Sequence, residues 1–201
     1  MGVSNSLGQV QFSAGHPLLS WVAVGSAGIF RGRGVGPQTV PALFTETQTL
    51  AIGGANGGFA GFRVMQGNPH GLAHTSHLSG WITSPPTAPR DPIFFLLHCN
   101  VDRLWSKWQW VRKIYDPADP HAFTPNANFP AGHRLADQLW PWCGPLRPPR
   151  PTTAPGGTLA ASPMTAAPGG KPRIRDMIDY LGTVPGAAQQ DFAYDDVPFQ
   201  I

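Results

Sequence analysis

The sequence is poor in charge: Asp, Glu, Lys and Arg make up 12% of 201 residues, and the net charge is +3. That excludes a charge-driven disordered chain and a coiled coil, both of which need many more ionic side chains. The few Lys and Arg form no cluster, so no nucleic-acid face is expected. Two cysteines, Cys99 and Cys143, cannot frame a disulfide-stapled mini-protein. Long apolar runs are missing as well. Pro17–Phe30 comes nearest, but it is too short for a bilayer and is broken by Gly25, Ser26 and Gly28. The opening residues lack the basic start of a secretory signal. The expectation is a soluble chain without a membrane partner, cytoplasmic by default. Histidine is scarce early in the chain: His16 alone precedes His70.

What is abundant is glycine (24) and proline (23), alongside 41% apolar residues. The tryptophans concentrate from Trp105 to Trp142, which marks where a core is expected. Composition divides the chain into three regions. Residues 1–55 form a Gly-rich N-terminal segment, with short strands or turns expected near Gln9–Phe12 and Leu18–Val24. A short helix is expected over Ala42–Ile52, capped by Gly53 and Gly54. Residues 56–143 carry the chemistry. Phe59–Met65 reads as one or two helical turns, and a further helix starts at Pro69 and runs through His74. The proline-dense SPPTAPRDP that follows is not expected to be helical. Asp91 is then placed as an N-cap ahead of a long amphipathic helix over Ile93–Ile114, where Phe94, Leu97, Val101, Leu104, Trp105 and Trp108 recur at three- and four-residue steps. Residues 144–201 begin as a Pro-rich linker, expected to be extended and solvated. A short helix at Arg173–Tyr180 follows, with Met177 and Tyr180 inward, and then an apolar docking tail.

His70 and His74 are four apart, which puts both imidazoles on one helix face. His98 lies on the next long helix. Two imidazoles from one helix and one from a facing helix make a trigonal nitrogen site suited to copper or zinc. The H-x-x-x-H pair is equally compatible with histidines that only line the fold. Gly71 stands where a zinc protease would need its glutamate base. His77 reads as a bystander, and His16, His121 and His133 read as surface or structural. Cys99, next to His98, reads as a small buried core residue.

The segment DPIFFLLHCNVDRLWSKWQW, Asp91 to Trp110, resembles the second copper signature of the tyrosinase family, which includes catechol oxidases and molluscan-type haemocyanins, the type-3 copper proteins. The match falls on Asp91, Pro92, Phe94, Phe95, His98, Asp102, Arg103 and Trp105. Pro69-His70 and His74 are similar to the family's P-H-x-x-x-H, and Phe192-Ala193-Tyr194 resembles its closing aromatic-x-Tyr motif. The resemblance spans about residues 59–143. It implies a mainly α fold: the CuB helix pair of a tyrosinase-like copper-binding bundle, with long irregular Pro/Gly-rich segments. It implies that His70, His74 and His98 bind the copper called CuB, with Asp102 and Arg103 anchoring behind them. Phe94 and Trp105 are expected in packing roles.

The departures are informative. A type-3 site holds two coppers on three histidines each, and the single upstream His16 cannot supply the first, CuA, set. One copper per chain is therefore expected, a second only if another chain or a missing segment contributes ligands. Leu97 stands where many members have a histidine next to the ligand, and Gly71 where Asn is frequent. Gln66 occupies the position of a glutamate that holds a water in the family; an amide positions water but is a poor base. By resemblance the chain belongs with copper oxidoreductases that act on phenols or o-diphenols with dioxygen, in truncated or partial form, and no catalytic residue is assigned. The alternatives are a non-catalytic single-metal module and a homodimer that assembles a symmetric dicopper site.

Overall fold

In a computed structural model of the chain, the structure describes residues 3–4, 9–11, 28–30, 41–54, 57–125, 128, 133–138, 153–154, 157–158, 173–180, 182–187, 194 and 197. The described fold is mainly helical, with minor strands. It divides into two compact units, one of residues 1–51 and 64–102, the other of residues 52–63 and 103–201.

In the first unit, β1 (Val3–Ser4), β2 (Gln9–Gln11) and β3 (Gly28–Phe30) form a small antiparallel sheet in the order β1-β2-β3. The strand expected near Gln9–Phe12 is thus present, whereas Leu18–Val24 lies outside the described residues. Helix α1 (Glu46–Leu50) is opened by a capping box. The Gln48 amide donates to Thr45 Oγ1 and the Thr45 amide to Gln48 Oε1. Beyond it the chain needs positive φ at Gly53 and Gly54 (84° and 68°), which glycine adopts without strain.

The histidine-bearing segment is helical, but wider than expected. Gly67–Gly71 and Ala73–Leu78 are π-helical, and helical backbone starts in effect at Pro69 because Asn68 is extended (φ −138°, ψ 121°). Asn68 uses its side chain instead. Its Oδ1 accepts from Phe44 N at 2.8 Å and its Nδ2 donates to Ala42 O at 3.2 Å, pinning the stretch before α1. The helix runs past His74 to Leu78, then reverses through Ser79 and Gly80, both at positive φ, into a 3₁₀ turn, Gly80–Thr83. β3 lies against that turn. The proline-dense stretch contains a 3₁₀ turn at Ala88–Arg90, which corrects the expectation of no helical turn there. A single turn tolerates proline in its first positions, where no internal donor is needed. Among the described residues of this unit, Ile29, Met65, Ala73, Ile82 and Ala88 are the buried apolar ones.

Helix α3 (Ile93–Arg112) begins where expected and ends two residues short. Asp91, fully buried, caps it by accepting from Ile93 N at 3.0 Å.

In the second unit, α2 (Phe59–Phe62) starts at Gly58, and Phe59 N donates to His121 O at 2.7 Å. A Cβ on Gly58 would sit 2.9 Å from the His121 backbone, so this approach requires glycine. Phe62 stacks on Trp108 at 4.7 Å between centroids, and Phe59 packs between Trp105 and Phe123 at 6.0 and 5.1 Å. Burying Phe62 contributes roughly 1.5–3 kcal/mol. The buried Gln109 donates from Nε2 to Ile178 O at 2.9 Å. The short C-terminal helix is a 3₁₀ turn, Ile174–Met177, and Ile174, Ile178 and Tyr180 are buried while Met177 is only half-buried. The tighter turn rotates Met177 away from the position an α-helix would give it. Tyr180, Val197 and Tyr194 pack together. Of the Pro-rich segment, β4 (Thr153–Ala154) pairs with β5 (Gly157–Thr158), and the rest, like Phe192-Ala193, lies outside the described residues.

Candidate metal centre

The wide π-turns hold His70 and His74 on one face of their segment, and α3 delivers His98 from its first half. One ligand atom from each of these half-buried histidines lies within 4.8 Å of the other two. His70 Nε2 and His74 Nε2 are 3.0 Å apart. The three rings stand edge to face or tilted, with centroids 4.7, 4.8 and 5.4 Å apart. Nitrogen ligands about 2.0–2.1 Å from one ion at near-tetrahedral angles lie about 3.3 Å from each other. The pair is therefore close to ligating separation.

The far side of each ring decides what the near side can do. His74 Nδ1 lies 2.7 Å from the carbonyl oxygen of Ile82, which can only accept, so the proton sits on Nδ1 and Nε2 carries a lone pair. His70 Nδ1 is 2.6 Å from Gln66 Oε1, which accepts from it when the His70 proton is on Nδ1. Such outer partners fix tautomer and ring orientation in metal sites. His98 Nε2 is buried without a hydrogen-bond partner, an uncompensated polar atom facing this cluster. A cation among the rings would satisfy it, and would remove the repulsion between the facing lone pairs of His70 and His74. The donor set fits a metal ion on chemical grounds.

Electrostatics agree. His70 is pushed down from 6.5 to about 4, first by burial, then by the neighbouring His74 and His98. His98 is lowered as well, by burial and then by His74. Both rings are neutral near pH 7, as ligation requires. Phe94 lies against His98 at 4.2 Å and His74 at 6.1 Å, and so walls the site as well as packing it.

Among the described residues no other group of three His, Cys, Asp or Glu has this geometry. His77 stays apart, its Nδ1 3.4 Å from Leu72 O. His121 pairs with Asp119 at 2.9 Å on an exposed turn, where its backbone and ring N–H groups hold the Asp119 carboxyl below its usual range. The His133 amide donates to Asp137, and His16 lies outside the described residues. Asp102 and Arg103 are half-buried one turn beyond His98. Cys99 is exposed, contrary to expectation. With His98 turned to the cluster, the next residue on an α-helix points about 100° away, on the side of Phe95. Gly71 has a steric reason: a Cβ there would meet the Gln66 backbone oxygen at 2.9 Å, closer than a side chain at that position tolerates without a shift. The Ile82 carbonyl, the Asn68 clamp and the Ser79 reversal were not legible in the sequence, since two act through backbone geometry and none sits in a motif.

A histidine-only cluster between a π-helical segment and a long α-helix has a geometry that could hold a metal ion. The family model for the common central domain of tyrosinase matches residues 33–111, starting inside the Gly-rich N-terminal segment. Over that stretch, which is less than half of the chain, the sequence is similar to the tyrosinase family, a likeness that points to copper. Over 77 residues it is 41% identical to a tyrosinase of Hahella sp., covering 36% of this chain and 16% of that protein. It is 38% identical over 69 residues to grixazone synthase of Streptomyces griseus subsp. griseus, covering 33% and 22%. With the tyrosinase of Bos taurus the identity is 32% over 79 residues, covering 39% and 14%. The match thus spans less than a quarter of each relative's length. No helix among the described residues is long and apolar enough to cross a membrane.

Proposed function

We propose that this chain provides the CuB half of a type-3 copper oxidoreductase, with one copper held by His70, His74 and His98 in the region 56–143. The observation that carries this reading is the convergence of the three imidazoles, two of them already fixed by acceptors at Nδ1. Bound copper would supply one-electron redox chemistry toward dioxygen, and phenols or o-diphenols are the substrate class. The protein's own part is to hold neutral imidazoles in place, to wall the site with Phe94, and to orient His70 and His74 through Gln66 and Ile82. Asp102 and Arg103 stiffen α3 behind the ligand.

A second copper needs ligands from beyond this set, because His16 alone precedes His70. The outer surface of α3 favours a covering partner: Phe95, Leu96, Trp110 and Val111 are 50%, 70%, 41% and 50% exposed. A second copy of the chain, as a homodimer with a shared dicopper site, is the second reading. Native mass spectrometry of the copper-loaded protein separates the readings, combined with catechol oxidation by the chain and by His98→Ala. One copper per chain in a dimer, with oxidation lost in His98→Ala, supports an active shared site. One copper per monomer without turnover supports a single-metal module, and no copper bound defeats the proposal.

A further inference from the structure

We propose that Gln66 is a positioning residue that sets the tautomer of His70, serving the metal-free and the metal-bound state by turning its amide. The role in metal binding rests on the reading above.

Three contacts carry the argument. The Ile82 carbonyl leaves His74 no choice: its proton is on Nδ1 and its Nε2 lone pair faces His70 Nε2 at 3.0 Å. Two lone pairs at that separation repel, and with both rings neutral two arrangements relieve them. In the first, a cation lies between the rings, and the His70 proton resides on Nδ1, donated to Gln66 Oε1 at 2.6 Å. In the second, without a cation, the proton moves to His70 Nε2 and is donated to His74 Nε2. His70 Nδ1 then becomes an acceptor and needs a donor. A half-turn of the Gln66 amide presents its NH₂ group at the same place, with no change in backbone or ring position.

Only a side chain that both donates and accepts completes both networks. Glutamate, ionised at neutral pH, can only accept, so it would hold His70 in the ligating tautomer whether or not a metal is bound. Leucine would hold neither. Gln66 is exposed, so neither variant disturbs the core.

The test uses the full chain and its variants Gln66→Glu and Gln66→Leu, with zinc(II) as a diamagnetic probe. Long-range ¹H–¹⁵N correlation of the imidazoles reads the His70 tautomer directly, and calorimetric zinc titration reads affinity. Thermal melting verifies that all three proteins are folded. In the metal-free parent His70 is expected as Nε2–H, changing to Nδ1–H with zinc, while Gln66→Glu shows Nδ1–H in both states. Gln66→Glu is expected to bind zinc about tenfold more tightly than the parent and Gln66→Leu about tenfold more weakly, the lower end of what outer partners contribute. The same His70 tautomer in the metal-free parent and Gln66→Glu, or zinc affinities within twofold across all three proteins, overturns the assignment. If the parent binds no zinc or copper, the metal reading fails, and the metal-free spectra alone then decide the role of Gln66.

Discussion

The two halves of α3 do opposite work. From Ile93 to Asp102 the helix serves a polar cluster whose buried nitrogen has no partner, His98 Nε2. From Arg103 to Arg112 it serves an aromatic core, where Trp108 is 0% exposed and stacked on Phe62. The same backbone geometry underlies both, so the difference lies in what each stretch packs against. Both halves bury nitrogens without a partner, His98 Nε2 in the first and the indole Nε1 of Trp105 and Trp108 in the second. An indole N–H only donates and cannot ligate, and its ring is held by dispersion and area burial, whereas converging imidazoles offer lone pairs that a cation can take up.

The largest effect expected from breaking this contrast is Trp108→Ala. Removing a fully buried indole should cost about 3–5 kcal/mol, read by denaturant unfolding. Zinc affinity measured where the variant remains folded should stay near the parent's. His98→Ala should do the reverse. Calorimetry should show metal affinity falling by at least about a hundredfold, beyond what loss of an outer partner causes, with unfolding of the metal-free protein little changed. Equal losses of stability and affinity in both variants would erase the distinction between the two halves of the helix.

Gly71→Ala and Gly58→Ala sharpen it, because both place a Cβ 2.9 Å from backbone, one at the Gln66 carbonyl and one at His121. Each should destabilise by about 1–3 kcal/mol in thermal or chemical melts, but only Gly71→Ala should weaken metal binding. Loss of the Thr45 cap in Thr45→Ala should cost about 1 kcal/mol without touching affinity.

The smallest effect is on pH. In the metal-free protein His70 titrates near 4 instead of 6.5, so between those values the unfolded chain binds more protons than the folded one. Stability contributed by the neutral ring is complete above pH 6.5 and drains away as pH falls toward 4. Melting temperatures at pH 7.5 and 5 should therefore differ less in His70→Gln than in the parent. A larger pH response in the variant would refute the assignment.

Much of this was legible in residues alone. Asp91-Pro92 marked the start of α3 because a capping carboxylate and a ring with fixed φ suit the first turn of a helix. His70, His74 and His98 were legible through their spacing and through the match to a copper signature. The π-helical turns were not, since an i,i+4 pattern does not distinguish them from α-turns. The exposure of Cys99 was misread because hydrophobic character indicates burial only on average, whereas helix phase decides it at a given position.

The sequence by itself determined which histidines are candidate ligands, where helices begin, and that one upstream histidine cannot complete a second triad. Those follow from local rules: dihedral preference, capping and periodicity. Only the tertiary structure decided that the Ile82 carbonyl reaches back to His74, that Gln66 stands behind His70, and that two imidazole nitrogens come within 3.0 Å. A backbone carbonyl belongs to every residue alike, so which one orients a ligand is written in the path of the chain.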